Sequence, residues 1–308
     1  MYSPKSKEVF KIFKGLETVD GAGVRLRRMF GGMNTARITD PFLLLDQFGS
    51  SIPSEYSAGF PWHPHRGIET VTYLLEGKVA HEDSEGHSGT IYPGDAQWMT
   101  SGSGIFHQEM PDSMKLQDYE KLKLNGTVNN TVKGLQLWIN IPSLQKMETP
   151  AYRSLTRESI PVIDDKNGNK VHIIAGEYEK VRNELPMKPA IDPVYIDVEM
   201  PPESSFTFAV KTGHTSFLNM ISGEIRGVRG IEQPVRENTT LVFSRDGSEI
   251  KALTENERAR FIIVSGKPLN EEIYWHGPIV MNTEEQIMEA LSDLRNNKFV
   301  REKNPIMG

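Results

Sequence analysis

The chain has 308 residues, 37% hydrophobic and 25% charged, with 26 Gly, 19 Pro and a formal net charge of −6, the make-up of an ordinary globular protein. Its lack of cysteine excludes disulfide scaffolds, Cys-ligated zinc, iron–sulfur clusters and thiol catalysis. The acidic balance argues against nucleic-acid binding over the whole surface, so no direct nucleic-acid partner is expected.

The N-terminal stretch MYSPKSKEVFKIFKGLETVD scatters its charges and holds no continuous apolar core, so it does not read as a secretory signal. No run approaches the roughly 20 apolar residues of a membrane span. A cytoplasmic protein with no membrane partner is expected.

Downstream, short apolar runs alternate with turn residues. Val71-Thr-Tyr-Leu-Leu75 precedes Glu76-Gly77, Leu135-Gln-Leu-Trp-Ile139 follows, and Val171-His-Ile-Ile174 precedes Ala175-Gly176. Phe217-Leu-Asn-Met-Ile221 and Phe261-Ile-Ile-Val264 continue the series, each with Ser-Gly after it. Such runs read as strands, and many of them punctuated by Gly and Pro make a β-sandwich or barrel. Asn167-Gly168 predicts a type I′ hairpin. The charged, proline-bearing stretch from Ser143 to about Ile191 predicts a boundary near residue 150, hence domains 1–150 and 151–308. At the C-terminal end, Asn282 or Thr283 can cap a helix with Glu285 or Gln286 reciprocating, and Ile287, Ala290, Leu291 and Leu294 form one apolar stripe suited to a sheet face.

The chemistry concentrates in two places. His63 and His65 flank Pro64 in Phe60-Pro-Trp-His-Pro-His-Arg-Gly67. In an extended segment residues i and i+2 face the same way, so the two imidazoles project together. Pro64 has no N–H to give a ladder, which predicts an edge strand. Some forty residues on, His107 and Glu109 repeat the i, i+2 pattern in Ile105-Phe-His-Gln-Glu109. A barrel can bring the second pair opposite the first, and three imidazoles with one carboxylate suit a divalent transition metal while leaving two octahedral positions open. Glu69, four residues after His65, is a rival carboxylate. His81 and His87 sit in an acidic stretch that reads as a solvated turn, and His172, His214 and His276 are solitary. Arg25, Arg27 and Arg28, interleaved with Val24 and Leu26, read as an exposed strand face. Gly21-Ala-Gly23 lacks the third glycine of a dinucleotide fingerprint, and no Gly-x-Ser-x-Gly elbow is present, which leaves no basis for hydrolase chemistry.

Four passages resemble the pirin family of the cupin superfamily: Asp40-Pro-Phe-Leu-Leu-Leu-Asp-Gln-Phe48, Phe60-Pro-Trp-His-Pro-His-Arg-Gly-Ile-Glu-Thr-Val71, Pro93-Gly-Asp-Ala-Gln-Trp-Met-Thr100 and Gly104-Ile-Phe-His-Gln-Glu-Met-Pro111. Beyond residue 150 the likeness is looser. The resemblance implies an all-β bicupin, two jelly-roll-like barrels face to face with a C-terminal α-helix, and a metal in the N-terminal barrel only. It implies His63, His65, His107 and Glu109 as metal ligands, with Glu109 preferred over Glu69, and a degenerate second barrel without His-x-His. The implied metal is Fe(II), with Mn, Ni, Cu and Zn as alternatives. The implied activity is that of a quercetin 2,3-dioxygenase: a flavonol gives its 3-hydroxyl proton to Glu109 as catalytic base, dioxygen opens the central ring and carbon monoxide leaves. A competing implication is a metal-dependent regulator that binds a transcriptional or metabolic protein partner. A monomer is expected on either reading.

Overall fold

The computed structural model describes residues 5–122, 128–185 and 191–301. These residues are predominantly strand, and they divide into two compact units. One is built from the described parts of Glu17–Asn34, Phe42–Arg157 and Glu271–Gly308, and the other from those of Met1–Leu16, Thr35–Pro41 and Glu158–Asn270. No helix among the described residues is long and apolar enough to cross a membrane.

The histidine-bearing unit contains a seven-stranded antiparallel sheet in the order Ala151–Leu155, Ala96–Thr100, Ile68–Glu76, Val132–Asn140, Phe42–Ser50, Val24–Gly31, Leu16–Asp20. A second sheet has the order Phe60–His65, Ile105–Asp112, Lys78–Asp83, Ser88–Ile91. Two of its strands follow a strict period of two. Ile105, His107, Glu109 and Pro111 are buried while the residues between them are not. Val79, His81 and Asp83 are likewise buried and face them across the ladder. Alternation of this kind sends every second side chain to one face of a sheet, so His107 and Glu109 point to the interior together. The strand carrying His63 and His65 lies at the sheet edge, where Pro61 and Pro64 cost no ladder bond.

The other unit is built on a nine-stranded sheet with a two-stranded sheet formed by Ser205–Ala209 and Glu249–Leu253. Its interior is filled by Phe206, Phe208, Leu218, Met220, Phe261 and Ile263. No His-x-His occurs in this half of the sequence.

The simple division at residue 150 differs from the observed units at four points, one of them the short segment Thr35–Pro41, which joins the other unit. Ala151–Leu155 pairs with Ala96–Thr100 and so extends the histidine-bearing sheet past the expected boundary. Val9–Lys14 forms the edge strand beside Thr239–Phe243 of the other unit. The terminal helix, Glu284–Arg295, belongs with the histidine-bearing unit. Its local signals hold: Thr283 is the N-cap, its hydroxyl accepts from Gln286 N, and the Gln286 side chain accepts from Asn282 N at 3.0 Å. Ile287 and Ala290 are buried against Ile279, Met281 and Phe299, with Leu291 and Leu294 at the margin. Caps and apolar stripes are encoded locally, whereas the choice of sheet is made by packing between distant segments.

The expected hairpin forms between Val162–Asp164 and Lys170–Tyr178, but its turn is not type I′. Gly168 alone of the central pair has positive φ, at 79°. The Asp165 carboxylate accepts from the backbone N–H groups of Asn167 and Asn169 and stabilises a longer loop.

Candidate metal centre

His63, His65 and His107 come together with ligand atoms all within 4.8 Å of one another. The register explains how: His107 lies directly opposite His63 on the neighbouring strand, and His65 shares the His63 face. The ring centroids are separated by 4.8 Å for His63 and His65, 4.3 Å for His63 and His107, and 5.0 Å for His65 and His107.

The ring orientations are specified by backbone acceptors. His63 Nδ1 lies 2.9 Å from Pro61 O, and His65 Nδ1 lies 3.2 Å from Pro278 O. A carbonyl can only accept, so each Nδ1 carries the proton and each Nε2 presents a lone pair. Those two Nε2 atoms lie 3.1 Å apart. Facing lone pairs repel unless a cation receives both, and two nitrogens each about 2.1 Å from one ion at right angles would be about 3 Å apart. Both ring nitrogens of His107 are buried with no hydrogen-bond partner among the described residues, a state that native proteins rarely leave uncompensated.

Burial lowers all three imidazoles below their ordinary pKa. It lowers His63, takes His65 down to about 3 with help from neighbouring His63, and drops His107 well below the usual range. Neutral imidazole is the form that ligates metal. Donor set, orientation and protonation therefore all fit a divalent transition metal, and imidazole does not by itself select one.

The two candidate carboxylates have different surroundings. Both oxygens of Glu69 are engaged: Trp98 Nε1 donates to Oε2 at 3.0 Å and Thr100 Oγ1 to Oε1 at 2.8 Å, with Arg153 4.0 Å away. Glu109 is buried on the inward face, accepts from Thr72 Oγ1 at 2.9 Å, and lines a cavity of about 760 Å³ together with His63 and His65. Its donor atoms lie outside the tight three-imidazole group. Burial pushes its carboxyl up to about 7 against the lowering effect of the Thr72 hydroxyl.

The other polar candidates are placed apart from this group. His81 is buried instead of lying in a solvated turn; its Nε2 meets Tyr152 Oη at 2.8 Å, while His87 pairs with Asp83 at 2.9 Å. Tyr152 stacks against both rings. Arg25 and Arg27 bind Glu55 and Glu17 at the surface as an exposed strand face would. Arg28 does not: a bulge between Arg28 and Phe30 breaks the alternation, and Arg28 joins Asp46 at 2.8 Å in the cavity wall.

Three indoles in that wall carry no chemical signal in the sequence: Trp62, Trp138 and Trp275. Trp138 meets His65 edge-on, with centroids 5.0 Å apart and an 83° interplanar angle, and lies 5.9 Å from Trp275. Only Trp62 could have been suspected, from its place beside His63.

Two barrel units, one of them holding a group of three histidines whose chemistry fits a divalent metal, define a bicupin. Family profiles match both halves: the one described as Pirin covers residues 23–139, and the one described as Pirin C-terminal cupin domain covers residues 195–300. The chain belongs to the pirin family. It is 38% identical to pirin of Homo sapiens over 302 residues, 97% of this chain and 96% of that one. It is 43% identical over 265 residues to a protein of Thermoplasma acidophilum named only as a candidate quercetin 2,3-dioxygenase, covering 84% of this chain and 99% of that one. The crystal structure of a quercetin 2,3-dioxygenase from Acinetobacter baumannii superposes with a TM-score of 0.82 at 31% identity, covering 96% of this chain and 99% of that one.

Proposed function

We propose that this protein is a metal-dependent dioxygenase that opens a flavonol such as quercetin with dioxygen and releases carbon monoxide. The observation that carries the reading is a close group of three imidazoles, two of which line, with Glu109, a cavity of about 760 Å³ faced by three indoles. The names borne by the relatives from Thermoplasma and Acinetobacter support the same reaction class.

On this reading His63, His65, His107 and Glu109 hold the metal, Fe(II) in the first instance and Mn, Ni, Cu or Zn as alternatives. When bound, it supplies a path for electrons between the aromatic substrate and dioxygen. Trp62, Trp138 and Trp275 hold the flat rings by stacking and edge contacts. Glu109, with its carboxyl near 7, accepts the 3-hydroxyl proton at neutral pH and returns it to the product. Both oxygen atoms of dioxygen end in the ring-opened ester and one substrate carbon leaves as carbon monoxide, so the reaction needs no external reductant. The apolar walls keep water from the opened ring. We further infer a cytoplasmic monomer, in keeping with a sequence that has no cysteine.

The test is oxygen uptake with carbon monoxide detection, using Fe(II)-loaded protein and quercetin beside a His65→Ala control. Coupled uptake and release that the control abolishes support the assignment. Loaded metal without turnover refutes flavonol cleavage and points to the metal-dependent regulator with a protein partner.

A further inference from the structure

His65 differs from the other two imidazoles in where its support comes from. His63 bonds to the carbonyl of Pro61, two residues away on its own strand. The acceptor for His65 Nδ1 is Pro278 O, 213 residues further along the chain. That carbonyl belongs to the hairpin Tyr274–His276/Ile279–Met281, which precedes the terminal helix.

Three contacts, two of them at the consecutive residues Arg66 and Gly67 and the third from Lys146, hold the hairpin there. At Arg66 the backbone forms a parallel bridge with Ile279, and Val280 N donates to Arg66 O at 3.1 Å. At Gly67 the approach is so close that a Cβ would lie 2.0 Å from Val280 O; its φ of +79° also suits glycine. The buried ammonium of Lys146 bridges the two strands, donating to Gly67 O at 2.7 Å and Val280 O at 2.8 Å. The Arg66 side chain, only 1% exposed, reaches past the hairpin to the terminal helix and to Phe299 beyond it. It donates to Asp293 Oδ2 at 2.9 Å and Phe299 O at 3.0 Å, with the guanidinium carbon 4.3 Å from the centre of the Phe299 ring. Burying an arginine and a lysine is expensive, and their replacement by apolar groups is often no loss to stability. Their presence here coincides with the placement of one carbonyl against one metal-site imidazole.

His65 has a competing tautomer. A proton on its Nε2 would point at His63 Nε2, 3.1 Å away, and form a hydrogen bond across the centre. In that tautomer the lone pair of His65 sits on Nδ1, against Pro278 O, and none faces a metal between the imidazoles. The Pro278 carbonyl favours the opposite tautomer, with the proton on Nδ1.

We propose that the terminal hairpin and helix are a positioning element for the metal centre: by holding Pro278 O on His65 Nδ1 they set the ligating tautomer of His65, so metal affinity depends on Arg66 gripping Asp293 and Phe299. The inference goes beyond the flavonol reading and stands whatever the substrate.

The test needs no turnover. Nitrogen chemical shifts of the histidines in the metal-free full-length chain report each tautomer, and chelator competition with Zn(II) reports affinity. Wild-type His65 is expected to be protonated on Nδ1. Asp293→Ala and Phe299→Ala are expected to move His65 towards the Nε2-protonated form, leave His63 unchanged, and weaken Zn(II) about 10- to 100-fold. Asp293→Glu should recover most of the loss. A merely structural role would lower the melting temperature of the variants without moving either readout, and that result overturns the proposal. A wild-type His65 protonated on Nε2 overturns it even if neither variant folds.

Discussion

The indole Nε1 of Trp98 lies 3.0 Å from Glu69 Oε2, and this contact separates the roles of two carboxylates that the sequence presents as rivals. Glu69 and Glu109 are both buried and burial raises the pKa of both. The partners of Glu69, however, are an indole N–H, the Thr100 hydroxyl and a buried guanidinium. They saturate its oxygens and bind it into the sheet wall. Glu109 accepts from the Thr72 hydroxyl and turns a face to the cavity.

The two conservative substitutions should therefore fail differently. Glu69→Gln leaves Arg153 without its buried counter-charge and should cost about 3 kcal/mol of stability, while metal binding survives at temperatures where the protein remains folded. Glu109→Gln should keep the melting temperature within a few degrees, retain part of the metal and lose turnover with quercetin. Thermal unfolding and metal analysis of the two purified variants check both claims. Full activity in Glu109→Gln would move the base role elsewhere.

The exposed indole is the place to test how the cavity holds its ligand. Trp62 is 47% exposed and lines the cavity without belonging to the apolar core. Trp62→Ala should leave stability unchanged within about 0.5 kcal/mol, as for other surface substitutions. An aromatic contact worth about 1.5 kcal/mol should raise the flavonol KM roughly tenfold, with kcat little affected. Steady-state kinetics on the metal-loaded variant decide it. An equal fall in kcat and kcat/KM would instead assign Trp62 to the transition state.

The sequence reveals the centre more fully than its setting for a physical reason. The meeting of His63, His65 and His107 is legible because i, i+2 spacing turns His63 and His65 to one side and His107 and Glu109 to one side, and an edge proline such as Pro64 fixes where the first strand lies; the preference for Glu109 over Glu69 rests on the family resemblance and not on the pattern. The strand-rich architecture is legible from the same periodicity. Trp138 and Trp275 are not, since a tryptophan in an apolar run looks the same whether it meets a core or a cavity. Arg28 is hidden by the bulge beside it, which no periodicity anticipates. The exchange of termini between the units is hidden for another reason. Glu284–Arg295 carries good local signals, but its seating against Phe106 and Arg66, like the pairing of Val9–Lys14 with Thr239–Phe243, depends on segments far away in the chain.

Lys146 offers a pH test of the contact between the terminal hairpin and the histidine strand. Its ammonium is buried, with the residue 1% exposed, and donates to Gly67 O, Asn140 Oδ1 and Val280 O at 2.7, 2.6 and 2.8 Å. Burial takes its pKa down from 10.5 to about 7, opposed by the Glu271 carboxylate. In the unfolded chain the ordinary value returns. Between about pH 7 and 10 the unfolded state then holds a proton that the folded state has released, so this group makes stability rise with pH, by up to about 1.4 kcal/mol per unit. Below pH 7 both states are protonated and the contribution is flat. Lys146→Met removes the group and should remove the slope, so wild-type stability rises relative to that of the variant as pH climbs through that window. Urea unfolding of both proteins at pH 6, 7, 8.5 and 10 measures the difference directly, because every other titrating group is common to the two. Parallel stability curves would mean that the three acceptors hold the ammonium charged throughout and outweigh the effect of burial.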